Sequence, residues 1–179
     1  YKSLERMRGM FRVLEEMTHG VIDGDVTAMV VHGPPGLGKT YLVEKALHER
    51  ANEPIFAGNP LGEDFQLISD QRFRMVSGYM KPVHLYKMLY ETRHAGMISV
   101  FDDCDSVLTD DNSPNLLKAA LDTGDKRDVS YNSEASLLRK ELIPLTFEYK
   151  AGAIFITNVD FVNESSNQEH LGAILSRCH

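Results

Sequence analysis

Residues 33–40 read Gly33-Pro34-Pro35-Gly36-Leu37-Gly38-Lys39-Thr40 and restrict the fold more than any other stretch. The string fits Gly-x-x-x-x-Gly-Lys-Ser/Thr. It follows a short β-rich run, Thr27-Ala28-Met29-Val30-Val31, and opens a helical pattern from Lys39 to about Arg50 that turns Leu42, Val43, Ala46 and Leu47 inward. Glycines let a backbone wrap an anion with its N–H groups turned inward, and the start of the next helix adds partial positive charge. A strand, loop and helix of this composition are suited to holding phosphate. On that mechanism Lys39 reaches the β- and γ-phosphates of a nucleotide, the Thr40 hydroxyl holds Mg²⁺, and Pro35, Gly36, Leu37 and Gly38 form the cradle. Tyr41 follows at once and is placed either to touch the nucleotide or to pack.

The rest of the chain alternates short apolar runs with helical patterns, the signature of an α/β fold with a largely parallel sheet. Strands are expected at 73–77, 97–101, 145–149 and 153–157. Leu4, Met7, Phe11 and Leu14 mark a first helix over residues 1–20, ending near His19-Gly20. Pro82 sits well in the first turn of a helix to about His94, and Ser113-Pro114 opens another that stops at Gly124. Residues 134–142 and 169–176 also read as helix. Residues 51–71 give no clear pattern, and 129–150 read as an insertion. The whole of 1–179 is expected to be one nucleotide-binding α/β domain.

A nucleotide site needs a carboxylate at the end of a neighbouring strand, and Ile98-Ser99-Val100-Phe101-Asp102-Asp103 supplies two. Asp102 is placed for the magnesium hydration shell and Asp103 to orient or deprotonate an attacking water. Nineteen basic against twenty-six acidic residues, a formal charge of −7, argue against a surface uniformly attractive to DNA or membrane. No apolar run approaches the ~18 residues of a membrane helix. The two cysteines, Cys104 and Cys178, form no Cys-x-x-Cys pair, and the histidines show no metal-ligand spacing. Free thiols and the absence of a signal-peptide pattern make cytoplasm the expected location.

With these residues in view, the sequence resembles the core domain of an AAA+ ATPase from about Val21 to Arg177, in particular phage-type and clamp-loader-like members. The Gly33–Thr40 string is similar to that superfamily's usual phosphate loop, and Asp102-Asp103 to its second motif, where Asp-Glu is more usual. Thr157-Asn158 resembles the first sensor, whose polar side chain helps place the lytic water. Leu175-Ser176-Arg177-Cys178 resembles the Ser-Arg-Cys motif of clamp loaders, in which the arginine enters the neighbouring subunit's site. The resemblance implies a three-layer P-loop NTPase domain with a five-stranded parallel sheet in the order 5-1-4-3-2. It also implies a ring, a hexamer by expectation, with ATP and Mg²⁺ at the subunit boundaries and Arg177 acting in trans. The fifth strand and small helical lid have no counterpart in these residues. Action in a phage-infected host's cytoplasm follows from the phage-type likeness.

Val21 and Ile22 would lie near the adenine in such a fold, with plain core packing the equal alternative. Tyr79, Met80 and Lys81 follow the second strand, where related unfoldases carry an aromatic substrate-gripping loop. They could instead stack on bases with Lys81 meeting phosphate, or form an ordinary loop. Asp105, Asp110 and Asp111 put negative charge near a second loop and favour a protein substrate over single-stranded DNA. The expected function is ATP hydrolysis by an oligomeric motor that remodels or translocates a macromolecule. The alternative is a loader or replication adaptor in which ATP binding closes the assembly on DNA or a partner protein.

Overall fold

Apolar runs from four separate parts of the chain pair in parallel to form the central sheet of the computed structural model, which describes residues 2–110, 112–132, 135–159, 174–175 and 178. In chain order the elements are α1 (Lys2–Asp23), β1 (Ala28–His32), α2 (Lys39–Arg50), β2 (Ile55–Ala57), β3 (Gln66–Ser69), β4 (Phe73–Ser77), α3 (Pro82–Glu91) and β5 (Ile98–Asp102). Then come α4 (Ser106–Thr109), α5 (Ser113–Ala120), β6 (Asp128–Ser130), α6 (Ser136–Lys140), β7 (Thr146–Glu148) and β8 (Gly152–Thr157). The sheet order is β1-β8-β5-β4, all parallel. Numbered among themselves, these strands run 1-4-3-2. The described residues place no fifth strand beside β1.

Central strands must bury both faces, and their sequences show it: β5 and β8 are almost continuously apolar and almost wholly buried, while β1 and β4 have no further strand beside them among the described residues. One face takes α1 and α2, whose Val21, Ile22, Val43 and Leu47 meet Met29, Val100, Ile154 and Ile156. The other face takes α3 and α5, with Leu85, Tyr86, Leu116 and Leu117 around Phe101 and Phe155, whose rings stack at 5.0 Å. Each crossover therefore carries a helix onto a sheet face, as parallel strands require.

Several elements depart from expectation, and α5 is one of them, stopping at Ala120 rather than Gly124 with the Leu121 N–H donating to the Leu117 carbonyl. Helix α1 continues past Gly20 to Asp23, because Val21 and Ile22 find a buried seat; a Cβ on Gly152 would come within 2.9 Å of Val21. Gly24 then ends the helix in the left-handed conformation at φ 82°, its N–H donating to the Val21 carbonyl. Helix α3 stops at Glu91 rather than near His94. Thr92 is buried there and turns its hydroxyl onto the Met88 carbonyl at 2.8 Å. Residues 51–71 contain an antiparallel hairpin, β2 with β3, and the 129–150 insertion is a second one, β6 with β7, enclosing the short α6.

A buried hydroxyl chain joins this insertion to the sheet. Thr92 Oγ1 lies 2.6 Å from Ser99 Oγ, which lies 2.8 Å from the Tyr149 hydroxyl, and that hydroxyl donates to the Gly152 carbonyl at 3.1 Å. Burial pushes Tyr149 up to about 12, against the pull of its Ser99 hydrogen bond, and burial also pushes Tyr86 up to about 12. An unfolded tyrosine ionises near pH 10. The native state therefore holds these protons more tightly, a stabilisation present in full below pH 10 and lost as the pH climbs toward 12. Urea midpoints should fall across that window. In Tyr149→Phe they should fall less, from a starting stability about 1–2 kcal/mol lower at neutral pH.

Candidate functional site

The loop between β1 and α2 takes its shape from two glycines in the left-handed region, Gly36 at φ 82° and Gly38 at φ 76°. A Cβ on either would meet nothing within 4 Å, so backbone conformation rather than crowding demands glycine there. Gly38 is also the N-cap of α2 and offers no side-chain hydrogen bond, which leaves the first-turn N–H groups facing whatever the loop encloses. Lys39 folds back over the loop. Its ammonium donates to the carbonyls of Gly33 at 2.7 Å and Pro34 at 2.8 Å, and to Asn158 Oδ1 at 3.0 Å.

Asn158 follows the last residue of β8, so parallel pairing of β1 with β8 brings it beside the loop. Pairing of β8 with β5 delivers the carboxylates next to it. Thr40 donates its hydroxyl to Asp102 Oδ1 at 3.0 Å. Asp103 has φ 53°, a left-handed conformation unusual for a residue with a side chain, and its N–H donates to the Ile156 carbonyl at 2.8 Å. Strained backbone of this kind costs about 1–3 kcal/mol and clusters at functional sites. Next to it, burial and then the charges of Asp102, Asp103 and Asp105 push the Cys104 thiol up to about 11, so it is a packing residue rather than a nucleophile.

A pocket of about 420 Å³ is lined by Pro35, Gly36, Leu37, Gly38, Lys39, Thr40, Tyr41, Asp102, Asp103, Ile156, Thr157 and Asn158. Sequence reasoning named all of these except Ile156 as site or motif residues, and the fold brings them together from three distant segments. Among the described residues no group of three or more His, Cys, Asp and Glu side chains could hold a metal ion. One carboxylate with one hydroxyl is nevertheless what Mg²⁺ ordinarily takes from a protein when phosphate oxygens and waters complete its shell, so Thr40 and Asp102 fit that ion.

Val21 and Ile22 lie elsewhere. They are buried beside Thr27 and Gly152, at the opposite end of β1 from the loop, about 16 Å away along the strand. The adenine-contact alternative for them gives way to core packing. The loop end of β1 instead borders an apolar groove of about 780 Å³ between α1 and the open strand edge, reaching Leu37 and Lys39. Met7, Met10 and Val13 line it and remain exposed, which is why the stripe expected to bury α1 buries only its second half. Arg177 and Asp111 lie outside the described residues.

Tyr79, Met80 and Lys81 form the connection from β4 to α3, at the same end of the sheet as the glycine loop between β1 and α2. Tyr79 is 76% exposed, whereas Met80 is half-buried against the core. Asp105 is one of the three acids expected to put negative charge near a second loop. Its carboxylate in fact accepts the Thr157 hydroxyl at 2.6 Å, a partner no sequence pattern could reveal across 52 positions. The short α4 that follows was also unforeseen.

No family model matches the chain. It is 34% identical over 176 residues, 96% of its length, to the "Uncharacterized 36.7 kDa protein in nrdC-mobD intergenic region" of Enterobacteria phage T4. The chain spans about half, 49%, of that relative's length. Among the described residues no helix is long and apolar enough to cross a membrane.

Proposed function

We propose that this chain is the nucleotide-binding part of an AAA+-type P-loop ATPase that acts as an oligomeric motor on a macromolecule. The observation that carries the reading is the convergence of Lys39, Thr40, Asp102, Asp103 and Asn158 on one pocket at the carboxyl ends of parallel strands, with Lys39 touching Asn158 and Thr40 touching Asp102. Brought together from different parts of the chain, these residues supply an anion cradle, a cation site and a carboxylate free to act on water.

In this reading the loop amides and Lys39 take the β- and γ-phosphates, and Thr40 and Asp102 hold Mg²⁺, which when bound neutralises charge on the phosphate oxygens. Asn158 and Asp103 orient a water in line with the γ-phosphorus. The water oxygen bonds to that phosphorus as the bond to the bridging oxygen breaks, ADP departs, and the water's proton passes to the Asp103 carboxylate or onward to the phosphate product. Arg177, supplied by a neighbouring subunit, stabilises the transferring group. The edge of β1, uncovered among the described residues, and its apolar groove support a fifth strand pairing there, which would extend 1-4-3-2 to 5-1-4-3-2. The exposed Tyr79 supports a remodelling role, and the phage relative supports action in a host's cytoplasm.

Calorimetric titration with Mg–ATP tests the core of the proposal: saturable binding is expected, and its absence refutes it. If Arg177 acts across an interface, ATPase activity per subunit should rise with protein concentration. In Arg177→Ala it should stay low at every concentration, about 10³-fold or more below the assembled wild type.

A further inference from the structure

We infer that Ser106 and Asp105 couple the phosphate site to the exposed Tyr79–Met80 loop, with Asp105 acting as a positioning residue for Asn158. The inference rests on the nucleotide reading above. Ser106 Oγ accepts the Met80 N–H at 3.1 Å and donates to the Met80 carbonyl at 3.3 Å, so one hydroxyl holds both polar groups of a loop residue. Its chain neighbour Asp105 accepts the buried Thr157 hydroxyl at 2.6 Å, and Thr157 Oγ1 accepts the Val159 N–H at 3.0 Å. These two bonds bracket Asn158, whose side chain accepts from Lys39.

The path therefore runs from Lys39 through Asn158, Thr157, Asp105 and Ser106 to Met80, every step a covalent link or a hydrogen bond. A phosphate gives it two states. All three acceptors of the Lys39 ammonium are groups that phosphate oxygens displace, so a bound nucleotide loosens the hold on Asn158. The Thr157–Asp105 bond is short, charge-assisted and half-buried, so it passes a shift at the end of β8 to α4 rather than absorbing it. Ser106 then hands the shift to Met80, and Tyr79 rides on the same loop.

The chain has no tryptophan, so Tyr79→Trp places a single indole at the loop that can be excited apart from the tyrosines. Saturating Mg–ATPγS should shift its emission. Adding Ser106→Ala should cut that shift about fivefold or more while nucleotide affinity stays within about twofold, since Ser106 touches no part of the phosphate site. Asp105→Asn keeps an acceptor oxygen and should retain the response, whereas Asp105→Ala should lose it. A shift undiminished in Ser106→Ala, or no shift in Tyr79→Trp despite measured binding, overturns the coupling. Failure of Tyr79→Trp to bind nucleotide at all overturns the nucleotide reading instead, and the coupling with it.

Discussion

Replacing Lys39 by alanine should lower affinity for Mg–ATP by about 100-fold or more, the effect of removing a charge-assisted donor from phosphate. Lys39 already makes three hydrogen bonds, so its ammonium is steered over the loop before any ligand arrives. Fixing a lysine in this way removes side-chain entropy from the cost of binding. The variant should still fold, because Lys39 is only half-buried and no core residue depends on it. Calorimetry beside a urea titration separates the outcomes. Lost binding with an unchanged midpoint supports the assignment, and retained tight binding by a folded variant refutes it.

The strands of the parallel sheet were legible because β5 and β8, buried on both faces, carry the continuous apolar runs such strands need. The edge strands β1 and β4 were legible through β-branched content and the turn residues beside them. Local rules failed where tertiary contacts decided. Gly20 carries the conformational cost that usually ends a helix, yet burial of Val21 and Ile22 outweighs it and postpones the stop to Gly24. The β2–β3 hairpin was hidden because its residues are mostly exposed and follow no clean alternation, and its Phe56–Phe65 stack at 4.9 Å pairs residues nine apart.

Within the candidate site, legibility tracked sequence distance. The glycine loop is contiguous, so its left-handed turn could be read directly from Gly36 and Gly38. Asp102 and Asn158 could be expected because each ends an apolar strand, and parallel pairing places strand ends together. Asp105 and Ser106 carried no such signal. An acid and a serine after a strand read as a solvated turn, and only the folded chain shows one taken by Thr157 and the other by the Met80 peptide groups. The adenine-contact alternative for Val21 and Ile22 failed for a related reason. That expectation came from the resemblance, and burial at the start of β1, beside Thr27 and Gly152, keeps both residues in the core.

Asp103→Asn should leave Mg–ATP affinity within about threefold of wild type while hydrolysis falls by about 10²–10⁴, the usual contribution of a general base. Asparagine suits this position because it tolerates the left-handed φ of 53° at least as well as aspartate, so the backbone and its N–H bond to Ile156 should persist. The substitution removes the charge and proton-accepting power and little else. A neutral amide can still orient water, so residual activity should exceed that of Asp103→Ala. The alanine variant adds backbone strain and should also lower the thermal midpoint. Single-turnover hydrolysis of prebound ATP isolates the chemical step from binding and assembly. If Asp103→Asn turns over at the wild-type rate under those conditions, Asp103 is a structural turn residue and the base must be sought elsewhere.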